Sequence, residues 1–262
     1  MWNPHAPLST RQRQVLGAVG IGGALLVWSA VALSGLVKPY FLPAPWDVLG
    51  ALGDMAQAEG DRNLFGAAWA SGRRVGLALL AVIVIGVPLG TLMGASSKVN
   101  AVLSPLVDPM RSAPVVAVLP IVVLWFGIDE TAKVVFLWLG ASVFLIPMVR
   151  DAIVAVPRQH VILAEDLGAT PLEAIRHSVF PLALPRIVDA VIVAVGIEWT
   201  YITVAEFVNA QQGLGYLIQL NKRLSANDNV FAGILAILVL ALITDQALKF
   251  AKRKLFPWEA EA

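Results

Sequence analysis

The strongest constraint on this chain is its set of long apolar stretches without one charged residue. Residues 15–37 and 75–97 contain no Asp, Glu, Lys or Arg, and 112–128, 134–149 and 229–244 are shorter clean stretches. A further stretch, 182–208, is apolar but holds Arg186, Asp189, Glu198 and Glu206. About 20 apolar residues in a helix cross the hydrocarbon core of a bilayer, so six such helices use roughly 120 residues, near half of the 262. The pattern predicts helices near 14–36, 68–95, 100–127, 131–150, 183–208 and 229–250. Composition agrees: 58% of residues are hydrophobic and 14% charged, against about 45–50% and roughly 25% in soluble domains. Disorder, which needs low hydrophobicity, is excluded. The expected fold is an all-α polytopic membrane protein.

The first apolar stretch follows Arg11 and Arg13, and Ala30-Val31-Ala32 resembles a signal cleavage site. Signal h-regions span only about 7–15 residues, so a membrane anchor is the expectation. Lys and Arg favour the cytoplasmic side. The termini, the Lys98 turn and the 150–186 loop hold 11 of them, and the opposite side holds 7. Both termini are therefore expected in the cytoplasm. Arg73 and Arg74 fall on the outer side, facing headgroups or a docked protein. A net charge of +1 gives no footprint for nucleic acid. The absence of cysteine removes disulfides and thiolate chemistry.

Two segments do not span. Residues 39–64 read as an outer loop with a short amphipathic piece. Residues 151–181 read as helix, turn and helix: Ile162, Leu163 and Leu167, then Leu172, Ile175 and Val179, recur at helical spacing on either side of Gly168-Ala169-Thr170-Pro171. Thr170 sits at an N-cap, with Pro171 at the first helical position and Glu173 completing a capping box.

That loop carries a resemblance. Ala164-Glu165-Asp166-Leu167-Gly168-Ala169-Thr170-Pro171, followed by Val179-Phe180-Pro181-Leu182-Ala183-Leu184-Pro185, resembles the cytoplasmic coupling loop of binding-protein-dependent ABC transporter permeases. Gly86-Val87-Pro88-Leu89-Gly90, Arg111-Ser112-Ala113-Pro114, Leu124-Trp125-Phe126-Gly127, Glu198-Trp199, Ala205-Glu206 and Gly213-Leu214-Gly215 are similar to the nitrate/sulfonate/taurine/bicarbonate-type subfamily. The resemblance implies a type I ABC importer permease fold. It divides the chain into an N-terminal tail, first transmembrane helix and outer loop over 1–65, and a core permease domain over 66–255 with its coupling loop at 151–182. It also implies ABC ATPase subunits that hold ATP and Mg, a second permease copy, an extracytoplasmic solute-binding protein, and location in a bacterial inner membrane. The chain contains no Gly-x-x-x-x-Gly-Lys-Ser/Thr loop of its own, so nucleotide is expected on a partner.

The coupling contact is assigned to Ile162, Leu163, Ala164, Glu165, Asp166, Gly168, Ala169, Thr170 and Pro171. The family pattern places its acidic residue where Ile162 stands, and Glu165 lies three positions later, about 300° further round a helix. Either residue is a candidate for the contact. The rival reading of the loop is an amphipathic helix lying on lipid.

Ionisable residues inside spans default to functional hypotheses. Arg111 follows Asp108 by three, so the two are expected to pair on one helix face, or Arg111 contacts an anionic solute. Pro105, Pro109, Pro114 and Pro120 predict an irregular third span. Glu198, Trp199, Tyr201 and Glu206 form a candidate pathway or gate on the fifth span. The alternatives are that Trp199 and Tyr201 anchor at the lipid interface, and that Glu206 ends the helix in outer water. Gly86, Gly90 and Gly94 form a small-residue stripe suited to close helix packing. His5, His160 and His177 show no ligand-like pairing, and no hydrolase motif occurs, so no catalytic residue is expected. The function expected is a permease subunit moving a small, anionic, nitrate-, sulfonate- or taurine-like solute inward by alternating access. A proton-coupled secondary transporter is the alternative.

Overall fold

The computed structural model describes residues 9–208 and 210–259, without the side chains of Thr10 and Asp61. His5 and the rest of the tail at 1–8 lie outside the described residues. The helices are α1 (Thr10–Leu33), α2 (Pro45–Gln57), α3 (Leu64–Ala95), α4 (Ser97–Met110), α5 (Val115–Phe126), α6 (Glu130–Val154), α7 (Arg158–Asp166), α8 (Pro171–Phe207), α9 (Leu214–Arg223) and α10 (Asn227–Leu255). Single 3-10 turns occupy Gly60–Arg62 and Pro257–Glu259.

Five of these helices (α1, α3, α6, α8 and α10) are long and apolar enough to cross a membrane, and the bent pair α4–α5 makes a sixth crossing if counted as one. The expected single third span is thus two helices meeting at 95°. The cause is local. Pro105 and Pro109 lie within α4, and Pro114 and Pro120 flank the start of α5. Proline removes a donor and clashes with the carbonyl four residues back. The chain leaves helix at Arg111 and resumes only at Val115.

Prolines also explain two widened turns in otherwise continuous helices. α3 is π-helical over Val82–Gly86, ending two positions before Pro88, and α8 over Ile175–Val179, ending two positions before Pro181. Such π-bulges absorb a lost ladder bond without ending the helix. As a result the second helix of the 151–181 loop is not a separate element. It runs unbroken into the fifth span, which begins at Pro171 rather than near 183.

Helix starts follow their caps. Ser9 and Gln12 form a capping box on α1, Asn63 caps α3 by accepting from the Gly66 amide at 2.8 Å, and Ser96 caps α4. α6 is the centre of the bundle and packs against α8, α3 and α5. The glycine stripe makes the tightest of these contacts. A Cβ on Gly86 would lie 2.7 Å from Leu145, one on Gly90 would lie 2.6 Å from the Ile146 carbonyl, and one on Gly94 would lie 2.6 Å from Ile153. Only glycine lets α3 and α6 approach so closely. The amphipathic α2 buries Val48, Ala51 and Met55 and packs on α10. α1 stands apart, with its apolar length exposed. Its end is tied down where the Trp28 Nε1–H donates to the Pro43 carbonyl at 3.0 Å and its ring lies 6.4 Å from Phe231.

Candidate functional site

Two groups of residues lie at opposite ends of the bundle, and α8 connects them. At one end is the loop between α6 and α8. Its turn forms because Gly168 takes φ +88°, a conformation that L side chains rarely adopt, allowing α7 to end at Asp166 and α8 to start at Pro171. The Thr170 hydroxyl accepts from the Glu173 amide, while the Glu173 carboxylate accepts from the Thr170 amide at 2.8 Å and hydroxyl at 2.7 Å. The expected capping box is present. A groove of about 500 Å³ lies between α7 and the start of α8, lined by His160, Leu163, Ala164, Gly168, Ala169 and Glu173 among others. Leu167 and Leu172 are 81% and 74% exposed beside it, and Ile162, Glu165 and Asp166 are exposed as well. Apolar side chains this open on a two-helix projection belong to a surface and not to the core.

At the other end, the start of α3, the start of α6 and the end of α8 meet in a buried ion network. Arg74 is its hub. Its guanidinium grips Glu130 in two bonds, Nε to Oε2 at 2.6 Å and Nη2 to Oε1 at 2.7 Å. Its Nη1 reaches Glu206 Oε1 at 2.5 Å and the Gln212 carbonyl at 2.8 Å. Ser71, one turn earlier on α3, donates its hydroxyl to Glu206 at 2.7 Å and accepts from the Leu214 amide at 2.9 Å. The Gly215 amide donates to Glu206 Oε2 at 2.7 Å. Lys133 and Arg73 add contacts to Glu130 at 3.0 and 3.3 Å. The glycines around Leu214 are required sterically: Gly213 has φ +121°, and a Cβ on either Gly213 or Gly215 would fall under 3.0 Å from Glu206.

This network corrects two expectations. Glu206 is 1% exposed, so it does not end α8 in water; the following loop folds back over it. Arg74 is 2% exposed and paired with acids rather than facing headgroups or a partner protein. Sequence reasoning gave Arg74 a different role and missed Ser71, Glu130 and Lys133. The available signal was Ser71 and Arg74 sharing one face of a helix whose only other charge is Arg73, since a buried arginine requires an acid.

Arg111 is also displaced from its expected place. Asp108 pairs with Arg150 of α6, Nη1 to Oδ1 at 2.9 Å. Arg111 is exposed at the end of α4 and, among the described residues, joins no ion pair. The helix that would have aligned Asp108 and Arg111 stops at Met110, and Arg150 fills the position instead.

Trp199 and Tyr201 lie between helices instead of at a lipid interface. Trp199 is 4% exposed, and its Nε1–H donates to Thr244 of α10 at 2.9 Å. Tyr201 packs over Gly140 of α6 and meets the Phe136 ring edge-on at 5.7 Å. Glu198 is fully buried, and neither carboxyl oxygen has a hydrogen-bond partner among the described residues. The structure therefore brings Glu198, Trp199, Tyr201 and Glu206 together along α8 but leaves Arg111 elsewhere.

The sequence pattern of the family described as binding-protein-dependent transport system inner membrane component matches residues 86–257. The taurine transport system permease protein TauC of Escherichia coli (strain K12) is 34% identical over 97% of this chain and 93% of its own. The putative aliphatic sulfonates transport permease protein SsuC of Bacillus subtilis (strain 168) is 29% identical over 89% of this chain and 84% of its own. In structure, a chain of the MetNI methionine ABC transporter in an inward-facing conformation superposes with TM-score 0.61 at 26% identity, covering 72% of this chain and 92% of that one. An amino acid ABC transporter crystallised with histidines has a similar fold, with TM-score 0.57 at 19% identity. None of these relatives supports the proton-coupled alternative. The chain belongs to the binding-protein-dependent transport system inner membrane components, the membrane-spanning permease subunits of ABC importers.

Proposed function

We propose that this permease carries a small sulfonate- or taurine-like anion inward, as a homodimer served by two ATPase subunits and an extracytoplasmic solute-binding protein. The relatives named for taurine and aliphatic sulfonates support the solute class. Both termini and the α6–α8 loop lie in the cytoplasm in this reading, supported by the excess of Lys and Arg at that end.

One observation carries the mechanism: the second helix of the loop and the fifth span are a single helix. α8 has 37 residues, so at about 1.5 Å per residue it is roughly 55 Å long. Thr170 caps its start at Pro171, and its last turn holds Glu206. A rigid element of that length transmits displacement without needing a chain of side-chain rearrangements. When ATP closes the ATPase pair, Ile162 to Pro171 move with it, and α8 tilts against α6. Gating is then a shift between two packed arrangements, driven by the difference in ATPase contact between them. Glu198, Trp199 and Tyr201 sit at the moving seam and act as the gate. Arg111, exposed at the α4–α5 bend, offers a cation to the passing anion. Glu206 holds the outer end of α8 to α3 and is a gate residue in that sense, not a solute contact.

The test is a charge at the turn. Ala169→Asp puts a carboxylate where the loop must approach its partner closely. It is expected to abolish co-purification of the ATPase subunit while leaving the permease folded. Retained association overturns the reading.

A further inference from the structure

A second cleft lies beside the coupling loop, built in part by the C-terminal turn. α10 ends at Leu255, Phe256 is buried, and Pro257–Glu259 form one 3-10 turn. Lys252 fixes that turn in place: its Nζ lies 2.7 Å from Asp189 Oδ2 on α8 and 2.7 Å from Glu259 Oε2. The Phe256 and Trp258 rings meet edge-on at 5.5 Å. The turn forms one wall of a recess of about 220 Å³, whose other walls include Pro157 and His160 at the α6–α7 corner and Arg186 on α8.

His160 also lines the groove between α7 and the start of α8, so the two recesses share that residue as a wall. Trp258 is 62% exposed at the mouth. Arg186 is exposed and, among the described residues, joins no ion pair. Trp and Arg are the residue types that dominate binding energy at protein interfaces. They also suit a lipid interface, but the wall shared with the coupling-loop groove favours a protein partner.

We infer that the Pro257–Glu259 turn and Arg186 form a second contact area for the ATPase subunit. In this arrangement Arg186 takes an acidic side chain, and Trp258 takes an apolar one beside it. The inference rests on the coupling-loop reading above. It extends the docking surface from the α7 loop to the chain's C-terminal end, so that two separate segments of the permease hold one partner.

The experiment measures the Kd of the cognate ATPase subunit for the full permease in nanodiscs, for Trp258→Ala, Arg186→Glu and Ala169→Asp, in neutral and in anionic lipid. Trp258→Ala and Arg186→Glu are each expected to raise Kd about tenfold in both lipids, with unchanged thermal unfolding. An unchanged Kd for either variant overturns the inference. So does an effect confined to anionic discs, which would assign the cleft to lipid headgroups. If Ala169→Asp abolishes binding while the other two do not weaken it, only this inference fails. If Ala169→Asp also leaves Kd unchanged, the coupling-loop reading fails with it.

Discussion

Removing Arg74 should cost far more than removing the charge of the acid it holds, although both lie in one buried pair. The side chains of Arg74 and Glu206 are 3% and 0% exposed. Breaking a buried ion pair by deleting one partner costs about 3–5 kcal/mol, because the other charge is left uncompensated. In Arg74→Gln, Glu206 keeps the Ser71 hydroxyl and the Gly215 amide but has no cation, so the full cost of about 3–5 kcal/mol applies. In Glu206→Gln, Arg74 still holds Glu130 in two bonds and the Gln212 carbonyl in a third. The new amide oxygen can accept from Ser71 or Gly215. What is lost is one acceptor, since the new NH2 faces the Arg74 guanidinium or the Gly215 N–H, both donors, at a cost of about 1–2 kcal/mol. Glu130 is 45% exposed, but it is the one carboxylate paired with the buried Lys133 among the described residues, so Glu130→Gln should cost an intermediate amount, about 1–2 kcal/mol. Equilibrium unfolding in mixed micelles against increasing SDS measures all three. The expected gap between Arg74→Gln and Glu206→Gln is about 2–3 kcal/mol, or roughly 30- to 150-fold in the unfolding constant. Equal losses for the two variants, or a loss below about 1 kcal/mol for Arg74→Gln, would refute the reasoning.

Two other substitutions probe separate parts of the structure. Gly90→Leu forces a side chain into the Ile146 carbonyl and Val149, and overpacking of this kind should destabilise the protein by about 3 kcal/mol in the same unfolding assay; a neutral result would mean that the α3–α6 approach is not set by the glycines. At the coupling loop, Ile162→Asp should weaken the ATPase complex at least tenfold in a pull-down titration, whereas Glu165→Ala should leave it nearly unchanged; the reverse order would move the contact to Glu165.

The parts of the molecule legible in the sequence are those set by neighbours along the chain. Charge-free stretches marked the spans, Thr170 and Glu173 marked their own cap, and three glycines four apart marked the α3–α6 seam. The ion network was not legible, because its members lie far apart in sequence: 132 residues separate Arg74 from Glu206, and 56 separate it from Glu130. Reading Glu206 as a helix end implied water, and only the fold of the 210–215 segment over its carboxylate reverses that. Asp108 and Arg111 illustrate the opposite error. Their spacing is right for a pair within one helix, but the prolines that bend the span end the helix between them, and a cation from another helix takes the place. At the loop, a second helix was expected to be separate from a fifth span starting near 183; a π-turn absorbs Pro181, and the helix continues.

Transport driven by ATP through the coupling loop is the centre of the account. Proteoliposomes holding the permease, its ATPase subunit and its solute-binding protein should accumulate a radiolabelled sulfonate only when ATP is supplied, at a rate insensitive to an imposed pH gradient, and Ala169→Asp should abolish the uptake. Accumulation driven by the pH gradient without ATP, or full uptake by the Ala169→Asp variant, would contradict it.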